Sequence, residues 1–324
     1  MRYFATTQAP LRTRAGYARP MTAMDEHDRL TVEVATGRSV EVLTGGPPDG
    51  LTLVFHSGTP AGLVAFTPLI DAAATRGLRT VLYARPGYGG SDPQPGRQVA
   101  DAAVDVAAIL DRLDAESFVT AGWSGGGPHA LASAALLPER CLAVATIAGV
   151  APYAAAGLDW LAGMAADNVA EYAAAAAGES AITSLLLTFA DLLAQISAEE
   201  VGVSLRELAS PVDQAALTGE YAAYLAESFR AALSSGIAGW RDDDLAFVRD
   251  WGVSLAELGS AVPVSIWQGD QDAMVPFAHG RWLASQIPLA RAHLLPGEGH
   301  LTLGVTRIGA ILDELVELAV LPRT

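Results

Sequence analysis

The chain has 324 residues, enough for one large domain with an insertion, and sets 36 acidic residues against 20 basic ones, a formal charge of −16. So acidic a surface repels nucleic acid and anionic membranes, and neither is expected as a partner. All 20 basic residues are arginine; without lysine there is no lysine-bearing phosphate loop, no lysine Schiff base and no Ser-Lys dyad.

Residues 1–24 carry Arg2, Arg12, Arg14 and Arg19 but no acid and no apolar core of the signal-peptide kind. Secretion is therefore not read here, and a cytoplasmic location is expected. Met21 and Met24 are alternative starts, and residues 1–29 read as a poorly ordered extension that includes His27. Residues 31–34 and 39–43 alternate around Thr36-Gly37 and predict a hairpin. Residues 51–55 form a continuous apolar run, the pattern of a strand buried on both faces. It enters His56-Ser57-Gly58-Thr59-Pro60, and a helix is expected to follow to about residue 76. A second buried strand, 79–83, leads into the glycine-rich loop 85–92. Val99, Ala103, Val106, Leu110 and Leu113 share one face of a helix over 99–113. A strand over 117–120, a helix over 128–137 and a strand over 142–147 continue the alternation. Such alternation predicts a mostly parallel sheet with helices on both faces. Cys141, the single cysteine, heads an apolar run and reads as a buried, inert thiol.

The rhythm breaks at about 150. Residues 151–235 show helical patterns only, among them the alanine run 173–177 and the stretches 185–196 and 221–233. They predict an all-helical cap between a first core segment, 30–150, and a second, 236–324. Pro152 and Asp159 interrupt the apolar stretch 141–166, which fails as a membrane span. Asp242-Asp243-Asp244 has no histidine or glutamate at ligand spacing, so it reads as a solvated helix start and no metal site is expected. Strands at 262–267 and 291–295, with helices over 278–287 and 305–318, complete the predicted sheet.

Three chemical groups follow three of these strands. Gly122-Trp123-Ser124-Gly125-Gly126 is a G-x-S-x-G pattern between a strand and a helix, the setting of a nucleophile held on a sharp turn. Asp270 and Asp272 follow the strand ending at 267, and His300 stands in Gly297-Glu298-Gly299-His300 after the strand ending at 295. Ligands of open α/β sheets lie at the carboxyl ends of strands, where all three fall. A serine hydroxyl needs a base within reach, histidine supplies it, and an aspartate orients the ring.

With these motifs in the order Ser…Asp…His, residues 30–324 resemble an α/β-hydrolase-fold serine hydrolase with a helical cap. The resemblance rests on G-W-S-G-G, H-S-G-T-P, R-P-G-Y-G-G-S-D, G-D-Q-D-A-M-V-P and G-E-G-H. It implies Ser124 as nucleophile, His300 as base and Asp272 as orienting acid; Asp272 matches the family spacing from Gly269 to Pro276, with Asp270 as the alternative. It implies an oxyanion hole from the N–H groups of Gly125 and of Thr59, Gly58 being the alternative. Trp123 either shapes the substrate pocket or packs. His129 reads as packing, His56 as a brace for the oxyanion turn, and His279 and His293 as helix-start and strand residues.

The expected activity is cofactor-free hydrolysis of a small-molecule carboxylic ester or lactone through an acyl-enzyme. Serine at the elbow argues against the epoxide-hydrolase and dehalogenase branches, which use aspartate there. The alternative is a proline-iminopeptidase-like aminopeptidase whose cap acids, Glu171, Glu179 or Glu220, hold the substrate amine. A non-catalytic ligand receptor on the same fold is disfavoured by the full set of motifs.

Overall fold

The computed structural model describes residues 27–321, apart from 36, 207 and 257. Met21, Met24 and most of the N-terminal extension thus lie outside the described residues, and β1 opens at Asp28. Among the described residues, eight strands form one sheet: β1 Asp28–Glu33, β2 Ser39–Gly45, β3 Leu51–His56, β4 Leu78–Tyr83, β5 Phe118–Trp123, β6 Cys141–Ile147, β7 Val264–Gly269 and β8 Arg291–Leu295. Their spatial order is β1-β2-β4-β3-β5-β6-β7-β8. The first two pairings, β1 with β2 and β2 with β4, are antiparallel; the remaining ones are parallel.

The helices in chain order are α1 Thr67–Ala74, α2 Ala102–Arg112, α3 Gly126–Leu136, α4 Ala166–Ala177, α5 Glu179–Leu193, α6 Ala198–Ser204, α7 Pro211–Ala216, α8 Gly219–Leu233, α9 Ala238–Phe247, α10 Leu258–Ala261, α11 Phe277–Gln286, α12 His300–Thr302 and α13 Ile308–Ala319. Alternating side chains of the strands feed two cores, as a period of two requires. Val54, Val81 and Val144 pack with Val106 of α2, Leu131 of α3 and Leu283 of α11. Leu53, Val119 and Ala143 face the other way, onto Leu69 of α1 and Ile311 and Leu315 of α13. Helices therefore cover both faces, which is why β3, β5 and β7 are buried along nearly their whole length.

Between β6 and β7 the described elements are all helical, α4 to α10. Ile196, Val201, Leu205, Leu217 and Leu225 form a third cluster there, and it takes in Leu301 from α12. No helix among the described residues is long and apolar enough to cross a membrane. The strand order reverses between β3 and β5, parallel neighbours whose onward connections lead toward opposite edges. Their C-terminal loops meet there, at the switch point where α/β sheets bind ligands.

Candidate active site

The turn after β5 is built from steric necessity. Ser124 stands at φ +56°, a left-handed conformation that costs a non-glycine residue on the order of 1–3 kcal/mol. It is pinned on both sides: its N–H donates to Ile147 O at 2.8 Å, and its carbonyl accepts Gly127 N–H at 2.9 Å. Glycine is obligatory next to it. A Cβ on Gly122 would overlap the Gly126 carbonyl, and one on Gly126 would overlap the His56 carbonyl at the end of β3. The G-x-S-x-G spacing thus records how closely β3, β5 and α3 approach.

His300 opens α12 and is buried at 2% exposure. Its Nδ1 lies 2.9 Å from Asp272 Oδ2. Asp272 itself is held by four donors: Oδ1 accepts the N–H groups of Met274 at 2.9 Å and Val275 at 2.8 Å, and Oδ2 accepts Gln268 Nε2 at 3.0 Å as well as the imidazole. Burial alone would lower the His300 pKa, but the Asp272 carboxylate and its hydrogen bond, with Asp213 behind, raise it above the ordinary value. Asp270 does other work. It is exposed, and its Oδ1 accepts Gly297 N–H at 2.8 Å and Gln271 Nε2 at 2.9 Å, tying the β7 loop to the β8 loop.

Ser124, His300, Trp123, Gly58 and Thr59 border one cavity of about 240 Å³. A Cβ on Gly58 would stand 3.4 Å from Ser124 Cβ, and one on Gly125 would stand 2.5 Å from Thr59 Oγ1. The β3 loop and the elbow therefore face each other at the serine. Trp123 both packs and lines: its Nε1–H donates to His300 O at 3.2 Å and its ring centroid lies 5.3 Å from the imidazole. The far walls come from the insertion, apolar at Phe189, Leu193, Leu208 and Phe229 and acidic at Glu171. Glu179 and Glu220 are exposed and line no part of it.

One expectation is overturned. Asp242, Asp243 and Asp244 are not a solvated helix start; they lie within α9 and are 3%, 0% and 0% exposed. Asp243 is the centre of a buried network. It accepts Arg85 Nη2 at 2.6 Å, Arg97 Nη2 at 2.6 Å, Tyr88 OH at 3.0 Å and Thr59 Oγ1 at 2.9 Å. Burial pushes its carboxyl up, yet Arg85 and Arg97 hold it well below the usual range. Arg85 in turn clamps the β3 loop, donating to Ser57 O at 2.6 Å and Gly58 O at 2.7 Å. Asp244 and Glu171 form a second carboxyl pair: burial raises both, with Asp167 adding to the rise of Glu171 and Glu171 adding to that of Asp244, and Trp240 Nε1 donates to Glu171 Oε1 at 2.6 Å. The triplet reads as solvated because nothing local announces its partners; Arg85 and Tyr88 sit in R-P-G-Y-G-G-S-D, where they pass for loop residues.

The other histidines are placed as packing groups. His56 closes β3 with Nδ1 3.0 Å from Tyr83 OH; His129 sits on α3 with Nδ1 2.8 Å from Gly125 O. Burial lowers both, His129 to about 3. His279 on α11 accepts Ala151 N–H, and His293 on β8 meets Glu314 at 2.8 Å. Cys141 is buried at the start of β6. A group not anticipated is Asp213 of α7, whose buried carboxylate accepts the backbone N–H of His300. Its only sequence signal is Ser210-Pro211-Val212-Asp213, which reads as a local cap of α7.

Comparison with known proteins agrees with this fold. A family model described as the alpha/beta hydrolase fold matches residues 52–305. A non-heme chloroperoxidase of Streptomyces lividans is 33% identical over 124 residues, 38% of this chain and 45% of that protein. Epoxide hydrolase B of Mycobacterium tuberculosis is 31% identical over 132 residues, 39% of this chain and 36% of that protein. These two matches thus span less than half of each relative. A pimeloyl-[acyl-carrier protein] methyl ester esterase of Aromatoleum aromaticum is 30% identical over 241 residues, 73% of this chain and 84% of that protein. Among solved structures, a carboxylesterase of Bacillus subtilis superposes with a TM-score of 0.62 at 17% identity, covering 91% of this chain and 92% of that one. With an eight-stranded, mostly parallel sheet and a family match across most of its length, the chain belongs to the α/β-hydrolase fold family.

Proposed function

We propose that the chain is a serine hydrolase that cleaves a small carboxylic ester or lactone through an acyl-enzyme on Ser124. The observation that carries this reading is the 2.9 Å contact between His300 Nδ1 and Asp272, with Ser124 and His300 on the wall of one cavity. In this mechanism Ser124 Oγ attacks the carbonyl carbon while His300 Nε2 takes its proton. The oxyanion is met by the Gly125 and Thr59 N–H groups, with Gly58 the alternative to Thr59. Collapse breaks the C–O bond, and the departing alcohol takes the proton back from His300. Water, deprotonated by His300, then attacks the acyl carbon and releases the acid. Helices α4 to α8 act as the cap over the site. Serine rather than aspartate at the elbow favours acyl transfer over epoxide opening. Labelling of Ser124 by a fluorophosphonate, together with turnover of chromogenic esters, tests the proposal; a folded protein that does neither refutes it.

Two predictions follow from the geometry. Asp272→Asn leaves the imidazole with no anion at Nδ1 and is expected to lower kcat by about 10⁴-fold, whereas Asp270→Asn, which loosens an exposed loop contact, changes it little. Steady-state kinetics of the two variants check this. The second concerns pH. Hydrolysis requires neutral His300, and its pKa is raised, so kcat/KM should climb with pH along an acid limb centred above the usual histidine value of about 6.5. A limb centred below that value is the contrary result.

A second reading is favoured by one feature, the Glu171 carboxyl on the cavity wall. An aminopeptidase acting on an N-terminal proline would set its ammonium there. A panel of esters run against prolyl-naphthylamide separates the two.

A further inference from the structure

Asp213 lies on α7, 87 residues before His300, and is fully buried against it. Its Oδ2 accepts His300 N–H at 2.9 Å; its Oδ1 accepts Leu301 N–H at 2.7 Å and Thr302 N–H at 3.1 Å. Ser210 Oγ donates to Oδ2 at 2.9 Å. The first N–H groups of a helix have no partner within it. Here they are satisfied by a carboxylate delivered from the insertion between β6 and β7.

We propose that Asp213 is a positioning residue for His300: it fixes the main chain from which the imidazole projects and stabilises the imidazolium formed during turnover. The proposal rests on the serine-hydrolase reading above. Asp272 grips the ring at Nδ1, and Asp213 grips the backbone of the same residue, so the imidazole is constrained from both ends. Leu301, the next residue, packs into the insertion's own cluster with Leu205, Leu217 and Leu225, which makes α7 and α12 one unit. The groups around His300 leave Asp272 and Asp213 as its principal anions. Glu298, on the same loop, is paired with Arg307 at 2.7 Å. Tyr221 of α8 is neutral, its phenol pushed well up by burial. Ser124 and Trp123 face the ring from the elbow and carry no charge. An anion near an imidazole favours its protonated form, the direction in which the Asp213 charge acts on His300.

The test is an NMR titration of the His300 ring, assigned with His300→Gln, in wild type and in Asp213→Asn. Loss of the anion favours the neutral ring, so the midpoint should fall, and the acid limb of kcat/KM should move to lower pH with it. On the pH plateau kcat should drop by about 10–100-fold with KM little changed, the signature of a misplaced catalytic group. Gly299→Ala provides an independent route to the same end. Gly299 is extended at φ −105°, which alanine tolerates, but its new Cβ would overlap the Asp213 carboxylate and push it away. That variant should shift the midpoint the same way, and it serves if Asp213→Asn does not fold. A folded variant of either kind whose His300 midpoint and kcat match wild type overturns the proposal. Because the titration needs no turnover, a wild type that fails to label at Ser124 would refute the serine-hydrolase reading while leaving the Asp213–His300 coupling separately measurable.

Discussion

Ser124→Ala should abolish ester hydrolysis, lowering kcat on the order of 10⁶-fold, while leaving the thermal midpoint close to that of wild type. The two halves of that expectation have different physical sources. Removing Oγ deletes the atom that, in the proposed mechanism, bonds to the acyl carbon, and no neighbouring hydroxyl or thiol on the cavity wall stands in the same turn. The backbone, by contrast, keeps its restraints: alanine suffers the same left-handed φ, and the hydrogen bonds from Ser124 N–H to Ile147 and from Gly127 N–H to Ser124 O involve main chain only. Chromogenic ester assays beside calorimetry measure both. A variant that retains substantial esterase activity places the chemistry elsewhere in the cavity.

Asp243→Ala should have the largest effect on stability, about 3–5 kcal/mol, a large part of the 5–15 kcal/mol that typically holds a domain together. Desolvating the carboxylate is costly, but deleting it is worse. Arg85 and Arg97 are each at most 4% exposed; Arg85 would be left charged without a carboxylate, Arg97 would keep only the 3.6 Å contact with Asp242, and Tyr88 and Thr59 would lose their acceptor. Urea unfolding reads the loss. The same network sets an acid sensitivity. Asp243 has a folded pKa below its unfolded one, so its contribution is full above about 3.9 and is lost as pH falls through the lower, folded value. His129 acts earlier. It is held near 3 by burial, so from about 6.5 downward the unfolded chain binds a proton that the folded chain refuses, and stability falls by up to about 1.4 kcal/mol per pH unit.

The framework was readable because its signals are local. Residues 51–55 and 118–123 are nearly continuous apolar runs because helices cover the sheet on both faces, and glycine-rich loops mark where each strand ends. Ser124, Asp272 and His300 stand out because each follows such a strand directly. The buried polar groups are a different matter. Asp243 meets Arg85 and Arg97 across 158 and 146 residues, and three consecutive acids with only Arg241 beside them look like surface. In the sequence Asp213 reads only as a cap for the start of α7, until folding brings α12 beside it. Pairings made solely by tertiary approach leave no periodicity to detect, whereas the sterics of a turn must be written into the turn itself.

The close approach of backbones at Gly122 and Gly126 also bears on how the protein can change. In a saturation library those two codons should return glycine alone among functional clones, since any other side chain collides with a carbonyl rather than with a movable group. Phe189, Leu193, Leu208 and Phe229 answer to no such backbone constraint, being side chains that line the cavity and pack against other side chains. On the proposed function, evolvability is thus divided between a frozen elbow that would carry the reaction and a permissive vestibule that would select what reaches it, so new substrates are to be sought by diversifying the second and leaving the first untouched.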